Sequence, residues 1–171
     1  MTATKLKICM IGATAVGKTS LVHRYVDSVF SDTYRTTIGV KIETHRIERN
    51  GQTFDLVVWD LSGEDEFQNV QASYLRGTSG YLLVADGTRI ETIEVAFALS
   101  ERVKAAVGSV PFVVVLNKVD MLAQWNVGEA ERAAMRAREW TIVQASAKTG
   151  QGVDEAFTQL VDRITRSNPW V

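Results

Sequence analysis

Short apolar runs alternate along the chain with stretches in which apolar positions recur every three or four residues. Strand-like runs fall at 5–11, 40–48, 53–59, 80–86, 111–117 and 140–145. Helical spacing fits 17–27, a short piece after 64, then 91–107, 129–139 and 153–166. The runs "YLLVAD" and "PFVVVLN" are continuous rather than alternating, the pattern of strands covered on both faces. Strand and helix in alternation predict an α/β fold with a mostly parallel six-stranded sheet and helices on both faces. One junction differs. In "VKIETHRIERNGQTFDLVVWD" two alternating segments flank Asn50-Gly51, a pair suited to two-residue hairpins, so one antiparallel edge strand is predicted. The last helix gathers Val153, Phe157, Leu160, Val161 and Ile164 on one face. No linker, repeat or low-complexity stretch interrupts residues 1–171, which read as a single domain.

Composition narrows the functional classes. A net charge of −1 gives no electrostatic basis for binding nucleic acid or an anionic membrane. The apolar run near the N-terminus is too short for a signal peptide or a spanning helix, and a cytoplasmic location follows as the default. Cys9 is the one cysteine, which excludes an internal disulfide framework and a thiolate metal cluster. It lies in "LKICMIG" and reads as a small buried hydrophobe. The ending "RSNPWV" carries no cysteine, so no prenyl anchor can be attached to this chain as written. Either the protein works unanchored or an anchoring tail lies outside this sequence.

The first chemistry-bearing segment is "GATAVGKTS", Gly12 to Ser20, which fits GxxxxGK[ST] between a predicted strand and a predicted helix. Glycines let the backbone of Thr14, Ala15, Val16 and Gly17 approach phosphate oxygens with its N–H groups, and the helix N-terminus adds partial positive charge. Lys18 can reach the β- and γ-phosphates, and the Thr19 hydroxyl is a hard oxygen ligand for Mg²⁺. An ordinary glycine turn is the bland alternative, and the strand–loop–helix context speaks against it.

A second segment, "NKVD" at 117–120, follows a buried run and so sits at the carboxyl end of a strand, the edge at which open α/β sheets bind ligands. An ionised Asp120 accepts two hydrogen bonds from the N1–H and exocyclic amine of guanine, whereas adenine would leave the carboxylate facing a lone pair. Lys118 can lay its stem along the nucleoside with its head in water. "ASAKTG" at 145–150 follows the next strand and offers the Ala147 N–H towards the guanine O6, flanked by Ser146 and Lys148. In isolation each of these short segments also fits a solvated turn.

With these motifs in this order, the chain resembles a small GTPase of the Ras superfamily, nearest the Rab branch, over about residues 4 to 166. The resemblance implies a P-loop GTPase fold that binds GTP or GDP with Mg²⁺ as a molecular switch. "YRTTIGV" resembles switch I, in which Thr37 would close on Mg²⁺ and the γ-phosphate beside Tyr34. "WDLSGEDEF" resembles switch II, in which Asp60 would hold Mg²⁺ through water and the Gly63 N–H would meet the γ-phosphate. Phe30 matches the aromatic packed against the guanine. An activating protein, an exchange factor and effectors would bind through the two switches. Trp59 and Tyr74 match aromatics gripped by Rab effectors, and Ile42 stands where the family usually has phenylalanine. The alternative is that Ile42 and Trp59 simply pack within the hairpin. From the residues alone, "DSVFSDTYRTT" is polar and without periodicity, so little but the nucleotide would order it.

Switch II departs from the pattern at Glu64, where the family carries the glutamine that orients the attacking water. A carboxylate can accept a hydrogen bond from that water, but when ionised it cannot donate one, and it lies near a highly charged phosphate. Catalysis by Lys18, Thr37, Gly63 and Glu64 is therefore expected to be slow. Thr14, in place of the serine of many Rab proteins, is mildly unusual. "SGED" also fits a helix start, which explains why acids are tolerated there. Two classes remain: a slow GTP-hydrolysing switch, and a GTP-dependent interaction platform with negligible hydrolysis. A P-loop nucleotide kinase is set aside, because "NKVD" reads guanine and no arginine-rich lid is evident. His23, His45 and Trp170 carry no chemistry in this reading.

Overall fold

The computed structural model describes residues 2–28, 30–31, 39–61 and 72–169. Its elements in chain order are β1 (Thr4–Gly12), α1 (Lys18–Asp27), β2 (Val40–Arg49), β3 (Gln52–Leu61), α2 (Ala72–Leu75), β4 (Gly80–Asp86), α3 (Ile90–Val107), β5 (Phe112–Asn117), α4 (Glu129–Ala137), β6 (Ile142–Gln144) and α5 (Val153–Ser167), with a 3₁₀ turn at Leu122–Gln124. The six strands form one sheet in the order β2-β3-β1-β4-β5-β6. Only the β2–β3 pair is antiparallel among them, as the Asn50-Gly51 junction predicts. Arg49 pairs with Gln52, and Asn50 and Gly51 take φ 53° and 77°, the left-handed pair of a two-residue hairpin turn.

Side chains of β1 alternate between two apolar layers. Leu6, Ile8 and Met10 pack with Leu21 and Val22 of α1 and Phe157, Leu160 and Ile164 of α5. Cys9 and Ile11 pack on the other face with Ile93, Leu99 and Val103 of α3 and Met135 of α4. Every residue of β4 is buried, which accounts for its unbroken apolar run. Cys9 is fully buried, as its setting in the sequence suggests, and burial pushes its thiol up. Among the described residues no helix is long and apolar enough to cross a membrane.

Most boundaries shift by a residue or two, and three of the shifts have a local cause. Helix α1 starts at Lys18 rather than 17, because Gly17 is left-handed and caps it. β6 spans only three residues instead of 140–145. The ring of Trp140 leaves the strand to stack on Phe97 at 4.6 Å, while Ala145 begins the following loop. Helix α4 ends at Ala137 rather than 139, and Glu139 takes φ 56°. The start of the short helical piece expected after 64 falls in residues 62–71, outside the described residues, and α2 follows at Ala72–Leu75.

The topology sets where a ligand can go. Strands added on one side of β1 run through β3 to β2, and those on the other through β4 to β6. The order therefore reverses at β1, and the crevice at such a reversal, beyond the carboxyl ends of the strands, is the ligand edge of open α/β sheets. The loops after β1, β4, β5 and β6 all lie along it.

Candidate functional site

The loop after β1 turns back across its own lysine. Lys18 is buried (7% exposed), and its Nζ donates to the carbonyl oxygens of Gly12 at 2.8 Å and Ala13 at 2.7 Å. Ala15 holds φ 61° and Gly17 φ 101°, two left-handed residues within three positions. Such a sequence of conformations gathers successive N–H groups into a concave anion-binding nest.

Asn117, at the end of β5, joins this loop to the one after β6. Its Nδ2 donates to the Val16 carbonyl at 2.9 Å, and its Oδ1 accepts the Ala147 N–H at 3.2 Å. The Ala147 N–H, offered from sequence to a guanine oxygen, is thus engaged by Asn117 here. Asp120 is exposed, and its Oδ1 accepts the Ser146 hydroxyl at 2.7 Å. Ser146 in turn accepts the Thr149 N–H at 3.0 Å, which fixes the carboxylate against the 145–150 loop. Lys118 departs from expectation. Its head is not simply in water but pairs with Asp86 at 2.6 Å and donates to the Ala15 carbonyl at 3.1 Å, because the buried carboxylate needs a counter-charge. Lys148 contributes its carbonyl, which accepts from Arg24.

A cation could be held beside Thr19. Its hydroxyl donates to Asp60 Oδ2 at 2.5 Å, and Asp60 Oδ1 is buried without a hydrogen-bond partner among the described residues. Burial pushes the Asp60 carboxyl up, against the Thr19 bond and the Lys18 charge that pull it down. A buried carboxylate facing a hydroxyl, with one oxygen unpartnered, fits a hard divalent ion such as Mg²⁺. No group of three or more His, Cys, Asp or Glu able to hold a metal occurs among the described residues. An ion here would therefore need oxygens from the ligand or water, the usual manner of Mg²⁺ beside phosphates.

The remaining sequence candidates divide clearly. Ser20 lies in the first turn of α1, and Phe30 packs half-buried against the layer containing α1 and α5. Ile42 and Trp59 are cross-strand partners, and Trp59 meets Tyr74 with ring centroids 6.3 Å apart. Ile42 is 52% exposed, while Lys7 covers a face of Trp59 at 3.9 Å, so the three form a continuous but only partly open surface. Tyr34, Thr37, Gly63 and Glu64 lie outside the described residues. His23 faces Asp27 at 3.3 Å and His45 packs on Tyr25, both ordinary structural contacts. Three residues at the site escaped sequence reasoning: Arg24, Asp86 and Arg89. Arg24 donates to the carbonyls of Ala147 at 2.7 Å and Lys148 at 2.5 Å, tying α1 to the last loop. Only Asp86 left a trace, as a charge closing an apolar run at a strand's carboxyl end.

A loop joining strand to lysine-headed helix, locked by Asn117 to two loops further along the same edge, is matched by a model of the Ras family over residues 7–166. The chain belongs to the Ras family. Ras-related protein Rab-12 of Mus musculus is 32% identical over 168 residues, 96% of this chain and 69% of that protein. Rab-1A of Dictyostelium discoideum is 34% identical over 169 residues, 95% of this chain and 84% of its own. Rab-13 of Rattus norvegicus is 36% identical over 161 residues, 92% and 79% respectively. The chain is thus a Rab-like, GTP-binding switch protein of the small GTPase class, and members of this family bind GTP or GDP with Mg²⁺.

Proposed function

We propose that this chain is a single-domain switch that hydrolyses GTP slowly by itself and signals to effectors through the segments around Thr37 and Gly63. The observation that carries the nucleotide reading is Asn117, bonded at once to the Val16 carbonyl and the Ala147 N–H. One side chain thereby registers a phosphate-type loop against a base-type loop. In this reading Thr14, Ala15, Val16, Gly17, Lys18, Thr19 and Ser20 surround the phosphates, Asp120 and the 146–148 loop read guanine, and Phe30 flanks the base. Thr19 and Thr37 hold Mg²⁺ directly and Asp60 does so through water. Bound there, the ion neutralises phosphate charge; the chain's own groups orient the phosphates and exclude bulk water.

Glu64 sets the clock. Ionised, it accepts a hydrogen bond from water but donates none, and its charge opposes that building on the phosphate. An activating partner that supplies an arginine would accelerate such a site by about 10³–10⁵. Ile42, Trp59 and Tyr74 form the effector surface, where isoleucine makes a smaller anchor than phenylalanine. Glu64, and to a lesser degree Thr14, also favours the second reading, a GTP-dependent platform with negligible turnover.

Base recognition is testable in isolation. Labelled GDP should bind and resist displacement by ADP, and Asp120→Ala should reduce the preference for GDP by about a hundredfold through two lost hydrogen bonds to a charged acceptor. Equal competition by ADP in the wild type would remove the guanine assignment.

A further inference from the structure

Asp86, the last residue of β4, is 0% exposed yet carries a charge. Its Oδ1 accepts the Thr88 N–H at 2.9 Å and the Thr88 hydroxyl at 2.7 Å. Its Oδ2 meets Lys118 Nζ at 2.6 Å and Arg89 Nε at 3.1 Å. Burial pushes this carboxyl up, but the bonds from Lys118, Thr88 and Arg89 outweigh it and hold the group below the ordinary aspartate value.

Both cations reach past Asp86 to the loop after β1. Arg89 Nη2 donates to the Thr14 carbonyl at 2.9 Å, and Lys118 Nζ donates to the Ala15 carbonyl at 3.1 Å. The next carbonyl, that of Val16, accepts from Asn117 at 2.9 Å. Three consecutive carbonyls are thus drawn towards one wall of the crevice. In a trans peptide the C=O and the following N–H point in opposite directions. Tying the carbonyls of residues 14, 15 and 16 to that wall therefore turns the N–H groups of Ala15, Val16 and Gly17 away from it. Ala15 does this at φ 61°, a conformation unfavourable for a residue with a Cβ and maintained by its surroundings.

We propose that Asp86 and Arg89 are positioning residues for the nucleotide. The Asp86 carboxylate holds Arg89 and Lys118 against the Thr14 and Ala15 carbonyls, and so fixes the direction in which the Ala15 and Val16 N–H groups meet the phosphates. The inference rests on the phosphate-loop reading above and extends it to two residues on a different strand and loop.

The test is the release rate of fluorescently labelled GDP from the full chain and its variants. Arg89→Met keeps the bulk of the side chain and removes both donors. Asp86→Asn keeps the shape and drops the charge that holds both cations. Arg46→Met breaks an ion pair with Asp55 on the edge hairpin, 2.7 Å in length, and serves as the control. Arg89→Met should release GDP about tenfold faster, the scale of one charge-assisted hydrogen bond at a partly exposed site, and Asp86→Asn faster still. In the GDP-loaded protein the Ala15 and Val16 amide resonances should move in Arg89→Met and stay in place in Arg46→Met, while both proteins remain folded. Because Arg89 is partly exposed, its variant decides the matter even if Asp86→Asn fails to fold. Unchanged release and unchanged amide resonances in Arg89→Met, in a protein that binds GDP normally, would overturn the proposal. A wild type that does not bind labelled GDP would instead overturn the phosphate-loop reading, and this inference with it.

Discussion

Gly17 stands at φ 101° directly beneath the Asn117 amide, and a Cβ built on it would lie 2.3 Å from Asn117 Nδ2. Two independent obstacles, the left-handed backbone and the contact with a buried amide, disfavour any other residue there. Gly17→Ala should cost about 2 kcal/mol of stability and break the Asn117–Val16 bond, so that labelled GDP binds at least about tenfold more weakly. Thermal unfolding and titration of the GDP complex check both parts. At this scale the sequence was legible wherever residue type and spacing coincide in one short window, as in "GATAVGKTS" and "NKVD". It was not legible for the bonds from Arg24 to the Ala147 carbonyl and from Arg89 to the Thr14 carbonyl, whose acceptors lie 123 and 75 residues away and meet them only through the fold. Nor could spacing show that the Lys118 head is bound to Asp86, since that pair depends on β4 and β5 lying side by side.

Among the elements, the edge hairpin is the one that local chemistry specifies most fully. Alternation on β2 and β3 fixes the faces, Asn50-Gly51 fixes the turn, and the ten-residue register follows from both. Nothing lies within 4 Å of a Cβ placed on Gly51, so Gly51→Ala tests the backbone term alone. It should lower stability by about 1 kcal/mol in a denaturant titration, with GDP release unchanged. The hairpin is also tied to α5, where Arg49 forms a two-pronged bond to Asp162 at 2.9 and 2.7 Å. The Arg49 guanidinium holds the Asp162 carboxyl below its ordinary value, so this contribution is fully present above the ordinary aspartate range and is lost as pH falls from there through the lowered native value. β6 shows the limit of the same reasoning. Its apolar pattern begins at Trp140, but that ring and Phe112 meet at 5.5 Å in an aromatic cluster, and the ladder starts only at Ile142. A tertiary contact overrides the strand pattern there.

For the whole molecule, the decisive feature is that one sheet with an apolar layer on each face brings four loops to a single edge. Order of elements and the single hairpin were enough to foresee this architecture, because alternation of strand and helix leaves few topologies. The architecture positions the nucleotide-binding loops, but the slow hydrolysis proposed above rests on one side chain in "WDLSGEDEF". The most direct test is single-turnover hydrolysis of preloaded GTP by the purified wild type and by Glu64→Gln. The wild type should lose GTP in a slow, measurable first-order decay, and the glutamine variant, which regains a donor and sheds a charge near the phosphate, should lose it faster. Equal rates in the two proteins would contradict the role given to Glu64.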